Sequence, residues 1–195
     1  MKKLSVGFTM IELLIVIGIL GILATGLLAA VDPFEQLKKA RDTNNRQSTV
    51  SLQTAFTRYY STHGQLPWDS PGVAATCPLG TMFGTPRGTS GVLVSNATMV
   101  ACVGLLESDG ELKPGFVLAL GAVSSAMYVN SISAASVSTC FAPTSKAIFA
   151  DSNTKYDSAG ADNTLKASPT CRDADKVAGS QKVTDTPPSC FVCAK

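Results

Sequence analysis

A long apolar stretch near the N-terminus, with one carboxylate at its start, constrains this 195-residue chain more than any other feature. The run from Leu13 to Val31 is nineteen residues without a charged side chain, and a helix of that length crosses most of a ~30 Å hydrocarbon core. Glu12 is the only ionisable side chain between Lys3 and Asp32. Because an unpaired carboxylate is costly in lipid, we predict one membrane span in which another copy of this chain provides the partner for Glu12.

An ordinary cleaved signal peptide is the competing interpretation of the same stretch. Its apolar region usually has about 7–15 residues and ends at a small-residue cleavage site. Here the apolar region is longer, and the small residue Gly7 precedes it. The first cysteine is Cys77, which disfavours lipoprotein export.

The residues around Gly7 resemble the processing signal of a known family. Two lysines and Gly7, followed by Phe8-Thr9-Met10-Ile11-Glu12-Leu13-Leu14, resemble the class III signal of type IV pilins and type II secretion pseudopilins. The resemblance implies that a prepilin peptidase cuts between Gly7 and Phe8 and methylates the new amino terminus at Phe8. It also implies that Glu12 is required for assembly.

The same resemblance implies an organisation in four parts and a set of partners. Residues 1–7 are a leader, 8–31 a transmembrane and assembly helix, 32–64 its amphipathic continuation, and 65–195 a disulfide-stapled, β-rich head. The implied partners are further copies of this chain, other pilins, the peptidase, an assembly ATPase, a platform protein and, before assembly, membrane lipid. The precursor would cross the inner membrane once with its head outside the cytoplasm, and would later enter an extracellular or periplasmic filament.

The chemistry of Glu12 is consistent with that role. Cleavage would leave an amine on Phe8, and contact between this amine and the carboxylate of an adjacent subunit would neutralise two charges in a low-dielectric bundle. The alternative is that Glu12 lies at the level of the lipid headgroups. Loss of Lys2 and Lys3 with the leader would reduce Lys and Arg from 16 to 14, equal to the 14 Asp and Glu.

A second helix is predicted from about Phe34 to Thr62. Positions three and four apart are apolar at both ends of this segment and polar in its middle, so we expect it to pack best near its ends. Its charged residues, Asp42 among them, are expected to form a solvated face. Asp32-Pro33 indicates either an N-cap with proline at the first helical position or a kink in one continuous helix. Gly64 and Pro67 indicate its end.

The remainder of the chain predicts a small antiparallel sheet laid on the C-terminal half of this helix, giving an α+β fold. Four β-like runs are separated by turn-forming residues: Gly91–Val94, Phe116–Leu120, Ala126–Ile132 and Val137–Phe141. Trp68 is expected to anchor the packing of the helix on the sheet.

Six cysteines in an exported chain predict disulfides. Fifteen pairings are possible, and we favour Cys77 with Cys102 as a local loop. The other four would then staple the C-terminal region: Cys140, Cys171, Cys190 and Cys193. The Cys190-Phe191-Val192-Cys193 segment also fits half of a zinc site or a redox pair, although no second C-x-x-C is present.

An acidic segment raises the possibility of calcium binding, because several pseudopilins hold calcium in an acidic C-terminal loop. The candidate ligands are Asp151, Asn153, Asp157 and Asp162. Their spacing departs from the EF-hand pattern, and a solvated polar turn is the favoured interpretation. We therefore expect no cofactor.

The sequence favours a structural protein over an enzyme. His63 is the only histidine and lies where the second helix ends, so a capping or surface role is expected. The near-neutral charge balance gives no electrostatic footprint for nucleic acid. We therefore predict a subunit of a type IV pilus-like filament for adhesion, motility or DNA uptake. The alternatives are a secretion pseudopilin forming a periplasmic piston and a membrane-tethered binding domain that never polymerises.

Overall fold

The chain forms an α+β structure, consistent with the predicted fold class. The computed structural model describes residues 7–30, 32–73, 75–157, 159–161 and 190–195. It divides into two compact units, Met1–Leu37 and Lys38–Lys195. We call the second unit the head.

Two consecutive helices open the described chain. Helix α1 spans Met10–Ala30, and helix α2 spans Pro33–His63. The Asp32 carboxylate accepts hydrogen bonds from the backbone N–H groups of Phe34 (3.1 Å) and Glu35 (3.3 Å). Asp32 is thus an N-cap with Pro33 at the first helical position, and the first of the two alternatives for this pair is the observed one.

The C-terminal half of helix α2 packs in the core of the head. Leu52, Ala55, Phe56 and Tyr59 are buried, because they repeat at the spacing of one helical face. The helix ends with a backbone bond from Gly64 N to the carbonyl of Tyr60 (2.8 Å), and Gly64 has the left-handed φ of 72° expected for such an end.

The prediction that α2 packs at both of its ends is wrong for the N-terminal end. Phe34 and Leu37 are exposed. Asp42, expected on a solvated face, is instead fully buried. An apolar periodicity could not anticipate this burial, because the Asp42 carboxylate is held by polar contacts from a distant part of the chain.

The head contains one five-stranded antiparallel sheet in the order β1-β2-β3-β5-β4. The strands are β1 Val92–Leu93, β2 Met127–Ser133, β3 Ser136–Phe141, β4 Thr154–Tyr156 and β5 Phe191–Ala194. Strand β3 is fixed to α2 by two hydrogen bonds, from Gln53 Nε2 to the Val137 carbonyl (2.7 Å) and from Thr139 Oγ1 to the Thr49 carbonyl (2.9 Å). The sheet therefore lies on the second half of this helix, as predicted.

One predicted strand, Phe116–Leu120, is wrong, because this segment is helix α4. The Glu107 carboxylate accepts hydrogen bonds from the N–H groups of Gly115 and Phe116, both at 2.9 Å. Gly115 has a φ of 79°, which turns the chain sharply before the helix. These contacts anchor the first turn of α4, and a β-like composition alone does not reveal them.

The described part of the head contains three further helical segments. Helix α3 spans Ala97–Ser108, a 3-10 segment spans Gly121–Ala126, and helix α5 spans Lys146–Phe149. Asn96 caps α3 by accepting the N–H of Thr98 (2.9 Å). The sequence analysis missed α3, although Asn96 followed by an apolar run is a recognisable helix start.

Trp68 lies in the centre of the core. Its ring packs between those of Phe56 and Phe83, with centroid distances of 5.1 and 4.9 Å. These tilted contacts join α2 to the loop that precedes β1. Trp68 is a buried packing residue, as expected, but the ring contacts shown here join helix α2 to a loop and not to the sheet.

Two loops lie on the sheet face that carries Asn130. The Asn130 Nδ2 group donates to the carbonyl of Gly88 (2.9 Å) and to that of Ala159 (2.5 Å). Both loops approach through a glycine with a left-handed φ. A Cβ at Gly160 would lie 2.6 Å from Ser138 Oγ, so only glycine fits there.

Candidate functional site

The N-terminal turn of α1 forms a reciprocal cap between Thr9 and Glu12. The Glu12 carboxylate accepts hydrogen bonds from the Thr9 backbone N–H (2.9 Å) and from the Thr9 hydroxyl (2.7 Å). The N–H of Glu12 in turn donates to Thr9 Oγ1 (3.3 Å). This is a capping box, which satisfies N–H groups that have no partner within the helix.

The predicted cleavage site lies immediately outside this cap. Gly7, Phe8 and Thr9 precede the first helical residue, Met10, and all of them are exposed. Phe8 has 83% of its surface accessible. The Gly7–Phe8 peptide bond thus lies before the first helical residue, while Lys2 and Lys3 lie outside the described residues.

The rest of α1 presents apolar side chains on every side. The segment Met10–Leu27 has a mean hydropathy of 2.4, and none of it is buried. It is the one helix in the described part of the chain that is long and apolar enough to span a membrane. A signal sequence near an N-terminus has the same properties. The length and composition of this helix therefore fit both a membrane anchor and a signal sequence.

The cysteines form disulfides across the head. Cys77 is bonded to Cys102, the pairing favoured from the sequence, and Cys140 is bonded to Cys193. Cys190 is also disulfide-bonded, and Cys171 lies outside the described residues. Because Cys193 is joined to Cys140 on a neighbouring strand, the C-x-x-C segment does not close on itself as a redox pair.

Two of the candidate calcium ligands, Asp151 and Asp157, accept hydrogen bonds from backbone N–H groups in turns. Asp151 accepts the N–H of Asn153 (2.8 Å), and Asp157 accepts those of Ala159 and Ala161, both at 2.9 Å. Asp162 lies outside the described residues. Within residues 7–161, apart from the gaps in the description, and 190–195, no three His, Cys, Asp or Glu side chains form a group able to hold a metal ion.

A buried polar clamp was missed by the sequence analysis. The Asp42 carboxylate accepts the N–H groups of Thr144 (2.8 Å) and Ser145 (2.7 Å) and the Thr144 hydroxyl (2.8 Å). Between Pro33 and Ser48, Asp42 is the only residue of α2 that is buried. It therefore fixes this part of the helix to the segment that follows β3.

The end of α2 carries a polar cluster that includes the only histidine. The His63 ring stacks on Tyr59 at 4.1 Å, and its Nε2 lies 3.7 Å from the Asp109 carboxylate. Burial, with a smaller contribution from Asp109, raises the pKa of Tyr59. Burial also raises the pKa of Tyr128. Both phenols therefore stay neutral at physiological pH. The His63 side chain is partly exposed, at 44%.

Searches of this chain against protein-family models, curated proteins and solved structures find no match.

Proposed function

We propose that this chain is a structural subunit of a type IV pilus-like filament, processed at Gly7–Phe8 and polymerised through α1. The observation that carries the proposal is the segment from Gly7 to Glu12 placed directly before an uncharged apolar helix. An α-helix packed on a small antiparallel sheet, with an apolar helix before it, suits the pilin-like fold that the resemblance implies.

The exposure of α1 gives a physical reason for polymerisation. Its apolar side chains need lipid around them before assembly and other helices around them in a filament. Exchange of lipid for protein contacts has a small driving force per residue, so the proposal includes an assembly ATPase and a platform protein.

The capping box supplies a specific step for Glu12. In the isolated chain its carboxylate is engaged by Thr9 of the same helix. Cleavage would create an amine at Phe8, and the amine of a neighbouring subunit could replace the Thr9 hydroxyl as a partner of Glu12. A pair of opposite charges in a low-dielectric bundle is stronger than a hydrogen bond from a neutral hydroxyl to the same carboxylate, so the exchange favours the filament and fixes the axial position of each subunit.

The decisive experiment combines N-terminal mass spectrometry with a Glu12→Ala variant, using Glu35→Ala as the matched control. We expect mature protein that begins at methylated Phe8, in the wild type and in both variants. Incorporation into sheared filaments should fall about tenfold or more for Glu12→Ala only, because the lost acid–amine pair acts at every subunit contact. Protein that keeps Met1, or equal incorporation of both variants, would contradict the proposal.

The same preparation separates the two filament types and the tethered alternative. Long surface fibres that contain this chain support a pilus subunit. Loss of protein secretion without fibres supports a secretion pseudopilin, which shares the same N-terminal motif. A membrane-tethered domain would be processed or retained without dependence on Glu12.

A further inference from the structure

A group of exposed basic residues lies in the first part of the head. Four of them belong to one stretch of α2, and the fifth begins helix α5: Lys38, Lys39, Arg41, Arg46 and Lys146. All five residues are exposed, and all belong to the same compact unit of the chain. We call this group the basic surface.

The burial of Asp42 makes this surface more positive than the sequence indicates. Asp42 lies among the four cations of α2, where a charge count along the chain sets it against them. Its carboxylate is instead fully buried and accepts two N–H groups and a hydroxyl from residues 144 and 145. Between Lys38 and His63, α2 therefore has no exposed acidic residue.

The same contacts of Asp42 bring Lys146 to the basic part of α2. Ser145 donates its backbone N–H to the Asp42 carboxylate at 2.7 Å, across 103 residues of sequence. Lys146 is the next residue along the chain. A cation from a distant segment thus adjoins the four cations of the helix, and the sequence alone does not reveal it.

Two acidic residues, Asp32 and Glu35, lie between helix α1 and the basic surface along the chain. Neither is buried, and the Asp32 carboxylate caps α2. Five cations against these two acids leave an excess of positive charge after α1. Such an excess attracts anionic groups over a distance of about 10 Å at 0.1 M salt.

The basic surface follows the apolar helix closely. Three residues lead from Ala30 to Pro33, and α2 then rises about 1.5 Å per residue, so the Cα atoms of Ala30 and Lys38 are at most about 20 Å apart. Helical side chains tilt toward the N-terminus of their helix, which brings the charged group of Lys38 closer still. If α1 spans a membrane with Ala30 at the edge of the hydrocarbon core, the headgroups extend about 5–8 Å toward this surface.

We propose that the basic surface binds the phosphate groups of anionic lipids in the membrane that α1 spans. Guanidinium and ammonium groups pair well with phosphate, and clustered Lys and Arg residues beside a span are attracted to anionic membranes. A zwitterionic lipid, whose own cation compensates its phosphate, is attracted less. This inference rests on the membrane-spanning step of the proposed function, but not on processing or polymerisation.

Competition between two lipids tests the proposal on the full chain. The chain is held in detergent micelles with equal amounts of phosphatidylglycerol and phosphatidylcholine that have the same acyl chains. Native mass spectrometry then counts the molecules of each lipid that stay bound, and we expect more phosphatidylglycerol on the wild type. Lys39→Gln and Arg41→Gln should each lower the ratio of bound phosphatidylglycerol to phosphatidylcholine about fivefold, which corresponds to the attraction of one cation.

The matched control is Arg58→Gln. Arg58 belongs to the same helix and is 54% exposed, but it pairs with Glu111 and lies outside the basic surface, so this variant should keep the wild-type ratio. Lys2 and Lys3 also attract anionic lipid, and the decisive quantity is therefore the difference between variants. Ammonium acetate at about 1 M should remove this difference, because it screens charges beyond about 3 Å.

Equal lipid ratios in Lys39→Gln, Arg41→Gln and Arg58→Gln would overturn the proposal. Fluorescence anisotropy with a short labelled DNA duplex adds a second arm. Duplex binding that depends on Lys39 and Arg41, with lipid ratios that do not, would assign the surface to nucleic acid and also overturn it.

A flotation assay separates this inference from the proposed function. The chain is reconstituted into phosphatidylcholine vesicles, washed with carbonate and floated. A chain that stays with the vesicles, yet shows no variant-dependent lipid ratio in micelles, contradicts only the lipid-binding surface. A chain that the wash removes contradicts the membrane-spanning step of the proposed function and this inference with it.

Discussion

Helix α1 and the head differ in the burial and the hydrogen-bond partners of their side chains. Met10 and Ile22 have 88% and 74% of their surfaces accessible, whereas Phe56 and Phe83 have none. In α1, the side chains of Glu12 and Thr25 form hydrogen bonds with residues three positions away in sequence. In the head, by contrast, Asp42 and Gln53 reach partners on other elements. The head therefore contains the contacts that stabilise it. The exposed apolar side chains of α1, by contrast, need an apolar environment from lipid or from other chains.

The largest expected effect that tests this contrast comes from a core aromatic residue. Phe56→Ala should lower the free energy of unfolding of the head by about 3–5 kcal/mol, because it leaves a cavity beside Trp68. Ile19→Ala in α1 is the matched control, with an expected change below about 0.5 kcal/mol. Urea titration of the full chain in detergent, followed by Trp68 fluorescence, measures both. Equal losses from the two variants would break the distinction between the regions.

Asp42 tests how far the head extends along α2. Asp42→Ala removes the acceptor of two N–H groups, one of them on the buried Ser145, and of a hydroxyl, so we expect a loss of about 2–4 kcal/mol in the free energy of unfolding. Amide hydrogen exchange should accelerate at Thr144 and Ser145. Asp32→Ala, at the exposed start of the same helix, should change neither site. Unchanged exchange in Asp42→Ala would show that the clamp does not fix this segment.

The smallest expected effect concerns the capping box. Thr9→Ala should destabilise the first turn of α1 by about 1 kcal/mol, seen as faster amide exchange at residues 10–12. The urea midpoint of the head should stay the same. Thr25→Ala is the control, because the Thr25 hydroxyl donates to the carbonyl of Ile22 within its own helix (2.8 Å). If Thr9→Ala shifts the urea midpoint of the head, the stability of the head depends on the first turn of α1. That result would contradict the contrast between the two regions.

Local signals in the sequence predicted the two N-terminal helices, α1 and α2, but none of the helices in the rest of the head. The uncharged run after Glu12 predicted α1, and Gly64 marked the end of α2, because both depend on residues close together in the chain. The pairing of Cys77 with Cys102 was favoured by the same reasoning, as a short local loop. Cleavage between Gly7 and Phe8 stays a prediction, because the fold of the uncut chain does not depend on it.

Contacts between distant residues account for what the sequence did not predict. Phe116–Leu120 has a β-like composition, but the Glu107 carboxylate fixes its first turn as a helix. Asp42 has the character of a surface residue until Thr144 and Ser145 are brought to it. The insertion of β5 beside β3 likewise depends on a pairing across 53 residues, which no periodicity within either strand encodes.

Asn130 makes two loops of the head depend on one side chain. One amide group holds the carbonyls of Gly88 and Ala159, so two surface loops that are remote in sequence share a single anchor. An ionised aspartate at position 130 would place carboxylate oxygens, which only accept hydrogen bonds, opposite the two carbonyl oxygens. Leucine would leave both carbonyls without this hydrogen-bond donor. A substitution of Asn130 therefore removes the anchor of both loops at once.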